Sequence, residues 1–285
     1  MRSRYTLLFI TLIFVFLSHP LWSIEKMNSL ELLTEKFKNA GPETLIVFDS
    51  DMVLVHADFP AFQYPNLIKH RNIYKKVKES LSPERFQILA NGTITQYPSI
   101  LVERHTPDII KTLQNQGIKT LVLSNALAGS FGKINNLLDN RLMTYKNLGL
   151  DFSGSFPDLS PKIFDNFEPT FGRYPEFKEG VIHASDPIGI NVNKGAILVE
   201  FLKYANNTFS HIVFIDDKKK HVEDVEKALQ VYDPDITFTG YEYEGSKLVS
   251  TKLLTAEEFE KAMDDLNNAL QNITLENDSG LKKAS

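Results

Sequence analysis

From Thr44 onward the chain alternates short, unbroken apolar runs with segments whose apolar residues recur at helical spacing, and this alternation constrains the fold most. Thr44-Leu45-Ile46-Val47-Phe48 lacks the in-out pattern of a half-exposed strand. Both of its faces must therefore be covered, as in a parallel sheet with helices on each side. Lys119-Thr120-Leu121-Val122-Leu123, Gly180-Val181-Ile182-His183 and His211-Ile212-Val213-Phe214-Ile215 repeat the pattern. Between them, Thr106-Pro107 predicts a helix start with Thr106 as N-cap, followed by Ile109, Ile110 and Leu113 and stopped by Gly117. Ile134, Leu137, Leu138 and Leu142 predict a second helix. Ile197, Leu198, Phe201 and Leu202 predict a third, and Val222, Val225 and Leu229 a fourth. The expected fold is α/β, with a doubly wound, mostly parallel sheet.

Two stretches interrupt the alternation. Residues 60–103 carry Phe62, Tyr64, Tyr74, Phe86 and Tyr97 beside a basic helical segment, and read as a small inserted cap whose aromatics form its own core. Phe152 to Lys178, rich in Pro, Phe, Gly and Asp, reads as a long loop near a site. At the amino terminus, Arg2 and Arg4 precede the apolar run Leu7 to Leu17 and the small and polar residues around Ser18 to Ser23. That order predicts a signal peptide over residues 1–23. The run is shorter than the roughly 20 residues a bilayer-spanning helix needs. The expectation is a periplasmic or secreted protein with no stable membrane anchor after signal removal. The folded domain is expected over 24–273, closed by an amphipathic helix from Thr255 to Ile273, with a flexible tail over 274–285.

Composition narrows the chemistry. Hydrophobic residues make up 42% and charged residues 24% of the 285, which excludes a disordered or multi-span membrane chain. The net charge of −5 excludes nucleic acid as a main partner. Cysteine is absent, so disulfides, thiolate metal sites and a Cys nucleophile are excluded together. His56, His105, His183, His211 and His221 make no short ligand pattern for zinc.

In parallel α/β sheets ligands bind beyond the carboxyl ends of the strands, so the residue after each apolar run is the candidate. Asp49, Ser50 and Asp51 follow the first run, Ser124-Asn125 the second, and Asp216-Asp217 the fourth, while Lys194-Gly195 opens the helix after the third. One hydroxyl, one lysine and four carboxylates would gather at one sheet edge. Four carboxylates in a small site repel unless a cation lies among them, and oxygen-only ligation suits Mg²⁺. Each element alone has an ordinary explanation. Asp-x-Asp is a common turn, Ser124 a turn or cap, and Asp216-Asp217 a helix cap. Lys194 in a first helical turn opposes the helix dipole unless an anion compensates. Lys218-Lys219-Lys220 reads as a solvated helix start, and Arg71 and Arg104 are further candidates to reach a substrate. The ordered joint occurrence favours function.

Val47-Phe48-Asp49-Ser50-Asp51-Met52-Val53-Leu54 resembles the first motif of the haloacid dehalogenase-like superfamily, an apolar strand followed by Asp-x-Asp. Leu121-Val122-Leu123-Ser124 is similar to its second motif, Asn193-Lys194-Gly195 to its third and Val213-Phe214-Ile215-Asp216-Asp217 to its fourth. The Leu148 to Ser153 segment and the Phe-Ile-Asp-Asp-Lys form of the fourth motif resemble an exported bacterial branch of that superfamily. The resemblance implies a Rossmannoid core with a cap, and a phosphatase acting on a small phosphorylated substrate or a phosphopeptide. It implies Asp49 as nucleophile and Asp51 as acid and base. Ser124 and Lys194 would be the phosphoryl-binding groups. Mg²⁺ would be held by Asp49, the Asp51 carbonyl and Asp217, with Asp216 as a further ligand or positioning group. Two alternatives stay open: a catalytically silent relative kept for binding or host interaction, and a phosphotransferase.

Overall fold

The computed structural model describes residues 23–186, 193–206 and 209–275. Residues 1–22 of the signal peptide expected over 1–23, and residues 276–285 of the expected tail, lie outside the described residues. In chain order the first elements are β1 (Ser23–Met27), α1 (Leu32–Lys36), β2 (Thr44–Phe48), β3 (Val55–Ala57), α2 (Tyr64–Lys69), α3 (Arg71–Ser80), α4 (Pro83–Gln96) and β4 (Ser99–Leu101). Next come α5 (Thr106–Asn115), β5 (Lys119–Ser124), α6 (Leu137–Asn147), β6 (Lys162–Ile163), β7 (Glu176–Lys178) and β8 (Val181–His183). The last are α7 (Lys194–Ala205), β9 (His211–Asp216), α8 (Lys219–Tyr232), β10 (Thr237–Tyr243) and α9 (Ala256–Ala269).

The fold is α/β around a mostly parallel eight-stranded sheet ordered β1-β10-β9-β2-β5-β8-β7-β6. The pairs from β1 to β8 are parallel, and β8-β7-β6 continue antiparallel at one edge. Every residue of β2 is buried, as its continuous apolar run requires. Leu45 and Val47 pack on one side with α7 and α8, through Ile197, Phe201, Val222 and Val225. Ile46 and Phe48 pack on the other with α1, α5 and α6, through Leu33, Ile109, Leu113 and Leu138. Each such side chain, fully buried, contributes about 1.5–3 kcal/mol. Phe48 stands level with Ile215 of β9 and Val122 of β5, so the residues that follow all three strands reach the same edge of the sheet.

Residues 58–98 are bracketed by the β3-β4 pair and are largely helical. They share a third apolar cluster with the carboxyl-terminal helix, in which Phe62, Ile88 and Leu89 pack with Phe259, Met263, Leu266 and Leu270. α9 opens with a capping box between Thr255 and Glu258, at the residue where the sequence predicts the helix to begin, and ends at Ala269 rather than at Ile273. Among the described residues no helix is long and apolar enough to cross a membrane.

Four local expectations are corrected. Phe152 to Lys178 is not a site loop: it supplies β6 and β7, and Phe156, Phe164 and Phe177 enter the core beside Phe201. The tail does not fray from 274, because Leu275 is buried and its amide donates to Glu84. Thr106 is the first helical residue rather than the cap, and its hydroxyl donates to the Glu103 carbonyl. Ile134 lies in a turn bridged to Phe131, before α6 begins.

Candidate active site

Asp49 is fixed where β2 ends, its amide donating to the Ile215 carbonyl of β9 at 2.8 Å. The chain then folds back tightly. Leu54 and Val55 donate to the Ser50 carbonyl, Met52 donates to Val55, and Met52 takes a left-handed φ of 68°. A non-glycine residue held there is conformationally costly, and such positions concentrate at functional sites. The turn places Asp49 and Asp51 on one cavity wall.

Lys194 begins α7, whose N-cap Asn193 accepts from the Ala196 amide at 2.8 Å. Gly195 is required by packing, since a Cβ there would collide with the Asp224 carbonyl and the Ala228 methyl of α8. This brings the start of α7 close to the end of β9. The Lys194 side chain, 1% exposed, lies between two carboxylates: Nζ is 2.7 Å from Asp49 Oδ1 and 2.6 Å from Asp216 Oδ2. Burial opposes its charge, but Asp216 and Asp49 outweigh that and hold the ammonium well above its ordinary range. The anion needed to offset the helix dipole at Lys194 is thus built in.

Asp216 is fully buried behind the cavity wall, and both of its oxygens are engaged. Lys194 bonds Oδ2, the Lys218 amide donates to Oδ1 at 2.8 Å, and His221 Nδ1 lies 3.1 Å from each. Burial works against its charge, yet Lys194 and His221 keep it well below the usual carboxylate range. Asp49 and Asp217 go the other way. Burial, with the charge of Asp216, pushes Asp49 up to about 6 against the pull of Lys194. Burial, followed by Asp216 and Asp49 and opposed by Lys218, pushes Asp217 up to about 8. Asp51 is 39% exposed and is oriented by Arg141, whose Nη2 is 3.0 Å from its Oδ1. Ser124 ends β5, where its hydroxyl oxygen accepts from the Ala126 amide at 3.2 Å.

The cavity above Asp49 has a volume of about 420 Å³. Asp49, Asp51, Ser124, Lys194 and Asp217 all line it, so five of the six expected site residues meet there. Asp216 stands behind them. Asp49, Asp216 and His221 bring ligand atoms within 4.8 Å of one another. Because Asp216 is already engaged by Lys194 and His221, the carboxylates that face the cavity are Asp49, Asp51 and Asp217. Oxygen donors whose charge burial disfavours are the chemistry that a hard divalent cation satisfies.

Four participants were not among the expected site residues. Arg141 sits with Leu138, Leu142 and Tyr145 at helical spacing, and a charge on an apolar stripe is the signal that would have found it. Tyr145 donates to Ser50 Oγ at 2.6 Å, and burial holds its phenol well above the ordinary value. His221 lies five residues after Asp216, in the first turn of α8. Lys218 belongs to the cavity rather than to a merely solvated helix start, whereas Lys219 and Lys220 pair along α8 with Glu223 and Asp224. Arg71 and Arg104 are not among the cavity residues.

A family model described as "Protein of unknown function (DUF2608)" matches residues 26–276. An uncharacterized protein of Rickettsia bellii is 23% identical over 270 residues, covering 88% of this chain and 86% of its own. A second, from Rickettsia felis, is 25% identical over 267 residues and covers 89% and 87%. The uncharacterized protein RP295 of Rickettsia prowazekii is 26% identical over 249 residues, covering 80% and 78%.

Proposed function

The chain belongs to the DUF2608 family, and we propose that it is a Mg²⁺-dependent phosphomonoester hydrolase that works through an aspartyl-phosphate. What carries this reading is Lys194 Nζ, 2.7 Å from Asp49 Oδ1, in a cavity whose wall also holds Asp51, Ser124 and Asp217. The motif resemblance to the haloacid dehalogenase-like superfamily supports the same assignment, with residues 58–98 as the cap over that cavity. The leader-like residues 1–23 support export to the periplasm or beyond the cell.

In this mechanism the Asp49 carboxylate attacks phosphorus in line while the bond to the ester oxygen breaks. Asp51 gives that oxygen its proton, and the alcohol leaves. Asp51, now a carboxylate, takes a proton from a water whose oxygen attacks the same phosphorus. The bond to Asp49 breaks, inorganic phosphate leaves, and both aspartates return to their starting states. Lys194 and the Ser124 hydroxyl neutralise charge on the phosphoryl oxygens, the main demand of phosphoryl transfer. Asp49, Asp217 and the Asp51 carbonyl would hold Mg²⁺, which supplies further charge neutralisation. Asp216 tethers Lys194, and Arg141 sets the direction of Asp51.

Phosphate release from a panel of phosphomonoesters, with and without Mg²⁺, tests the reading. EDTA should abolish release, added Mg²⁺ should restore it, and Asp49→Asn should lack it while keeping the circular dichroism of the wild type. Full release after EDTA or by Asp49→Asn would overturn the mechanism, and no release from any ester would favour a silent binding protein.

A further inference from the structure

The cavity over Asp49 has two unlike parts. Its floor is charged, whereas its walls are Phe62, Tyr64, Ile68, Tyr74, Phe86 and Ile94, supplied by residues 60–62 and by α2, α3 and α4. The Tyr74 and Phe86 rings meet edge to face with centroids 6.1 Å apart. Ile68 keeps 52% of its surface exposed although it lines the cavity. A bare aliphatic side chain on a cavity wall gains from contact with an apolar ligand face, because contact removes its surface from water.

Polar groups on the same wall are mostly committed. The Asn91 amide donates to the Gln87 carbonyl at 2.9 Å and its oxygen accepts from the Leu127 amide at 3.2 Å. The Thr93 hydroxyl donates to the Ala90 carbonyl at 2.9 Å. Asn125 Oδ1 and His56 Nδ1, both on the cavity lining, are buried with no hydrogen-bond partner among the described residues, which leaves two groups for a ligand. A buried sugar would bring several hydroxyls, and each one left without a partner weakens binding by its lost hydration. A cavity of about 420 Å³ falls within the roughly 300–1,000 Å³ of small-ligand pockets. That space is shared by the phosphoryl group and one ring.

We infer that the organic part of the substrate is a single flat, largely apolar ring on a short linker, with at most two hydrogen-bonding groups, rather than a sugar or polyol. This deepens the phosphatase reading and rests on it. The discriminating esters are benzyl phosphate, glycerol 1-phosphate and glucose 6-phosphate. All three are phosphates of primary alcohols, so their leaving groups differ little in reactivity.

The full chain with Mg²⁺ is assayed on all three, and calorimetry compares binding of benzylphosphonate with 2,3-dihydroxypropylphosphonate. The expected result is a kcat/KM about tenfold or more in favour of benzyl phosphate, matched by about tenfold tighter binding of benzylphosphonate. Ile68→Asn, at a half-exposed position that does not endanger the fold, should lower the benzyl-to-glycerol ratio about threefold or more. Hydrolysis with the sugar or polyol preferred overturns the ring assignment and leaves the phosphatase reading standing. Ring-selective binding without hydrolysis of any ester does the reverse. Neither binding nor hydrolysis overturns both.

Discussion

At the scale of single residues, His183 shows how burial fixes a charge state away from the chemistry. It is fully buried on β8, and Nδ1 lies 2.9 Å from the Leu127 carbonyl. A carbonyl only accepts, so Nδ1 carries the proton and Nε2 is left bare, without a partner among the described residues. Burial, aided by the charge of Arg141, pushes this imidazole down to about 3. Between about pH 3 and the ordinary value of 6.5 the unfolded chain therefore binds a proton that the folded one refuses. Stability must fall as pH falls through that window, by up to about 1.4 kcal/mol per pH unit from this group. His183→Asn keeps a donor toward Leu127 and removes the titration. Urea unfolding between pH 4 and 7 should give a shallower pH slope for the variant, and an unchanged slope would refute the assignment. The residues after the strands were legible in the sequence because strand ends converge by topology. Arg141, Tyr145 and His221 were not, because they reach Asp51, Ser50 and Asp216 from flanking helices, whose rotation about their axes no strand pattern specifies.

At the scale of elements, the close approach of α7 to α8 is what puts Lys194 against Asp216. Gly195→Ala inserts a methyl into the Asp224 carbonyl and the Ala228 side chain, both on α8. Overpacking of this kind costs about 1–3 kcal/mol, so a lower midpoint in thermal unfolding is expected. Because the collision lies one residue from Lys194, phosphate release should fall as well; wild-type stability would show that the helices are not in contact there. The parallel core strands β2, β5, β8 and β9 were legible because a strand covered on both faces has an unbroken apolar run. β1 and β10 were not. Ser-Ile-Glu-Lys-Met and Thr-Phe-Thr-Gly-Tyr-Glu-Tyr interleave polar residues, as strands toward a sheet edge do, and a search for continuous runs passes over them. Phe152 to Lys178 misled for the converse reason, since its aromatics lack a period yet fill the core beneath a short antiparallel edge.

For the molecule as a whole, Glu103 ties distant parts of the chain together. Its carboxylate accepts from Ser29 Oγ at 2.6 Å, the Leu30 amide at 2.7 Å and the Tyr243 hydroxyl at 2.6 Å. The segment after β1, the approach to α5 and the end of β10 thus meet on one side chain. Glu103→Ala strands these donors, at about 1–3 kcal/mol for each that stays buried, whereas Glu103→Gln keeps an acceptor and should lose less. Chemical denaturation of both variants checks the order; equal midpoints would remove Glu103 from this role. The same scale decides the central claim, since Asp49, Ser124, Lys194 and Asp217 come from four separate stretches of the chain and mean little apart. The most direct measurement is acid quenching of the Asp51→Asn variant, which lacks the base for the second step, after mixing with Mg²⁺ and p-nitrophenyl phosphate, whose phenolate leaves without the proton that Asp51 would give, followed by borohydride trapping and mass spectrometry. The account predicts one modified residue, Asp49; hydrolysis by the wild type with no acyl-phosphate at Asp49, or with the phosphoryl group on another residue, would contradict it.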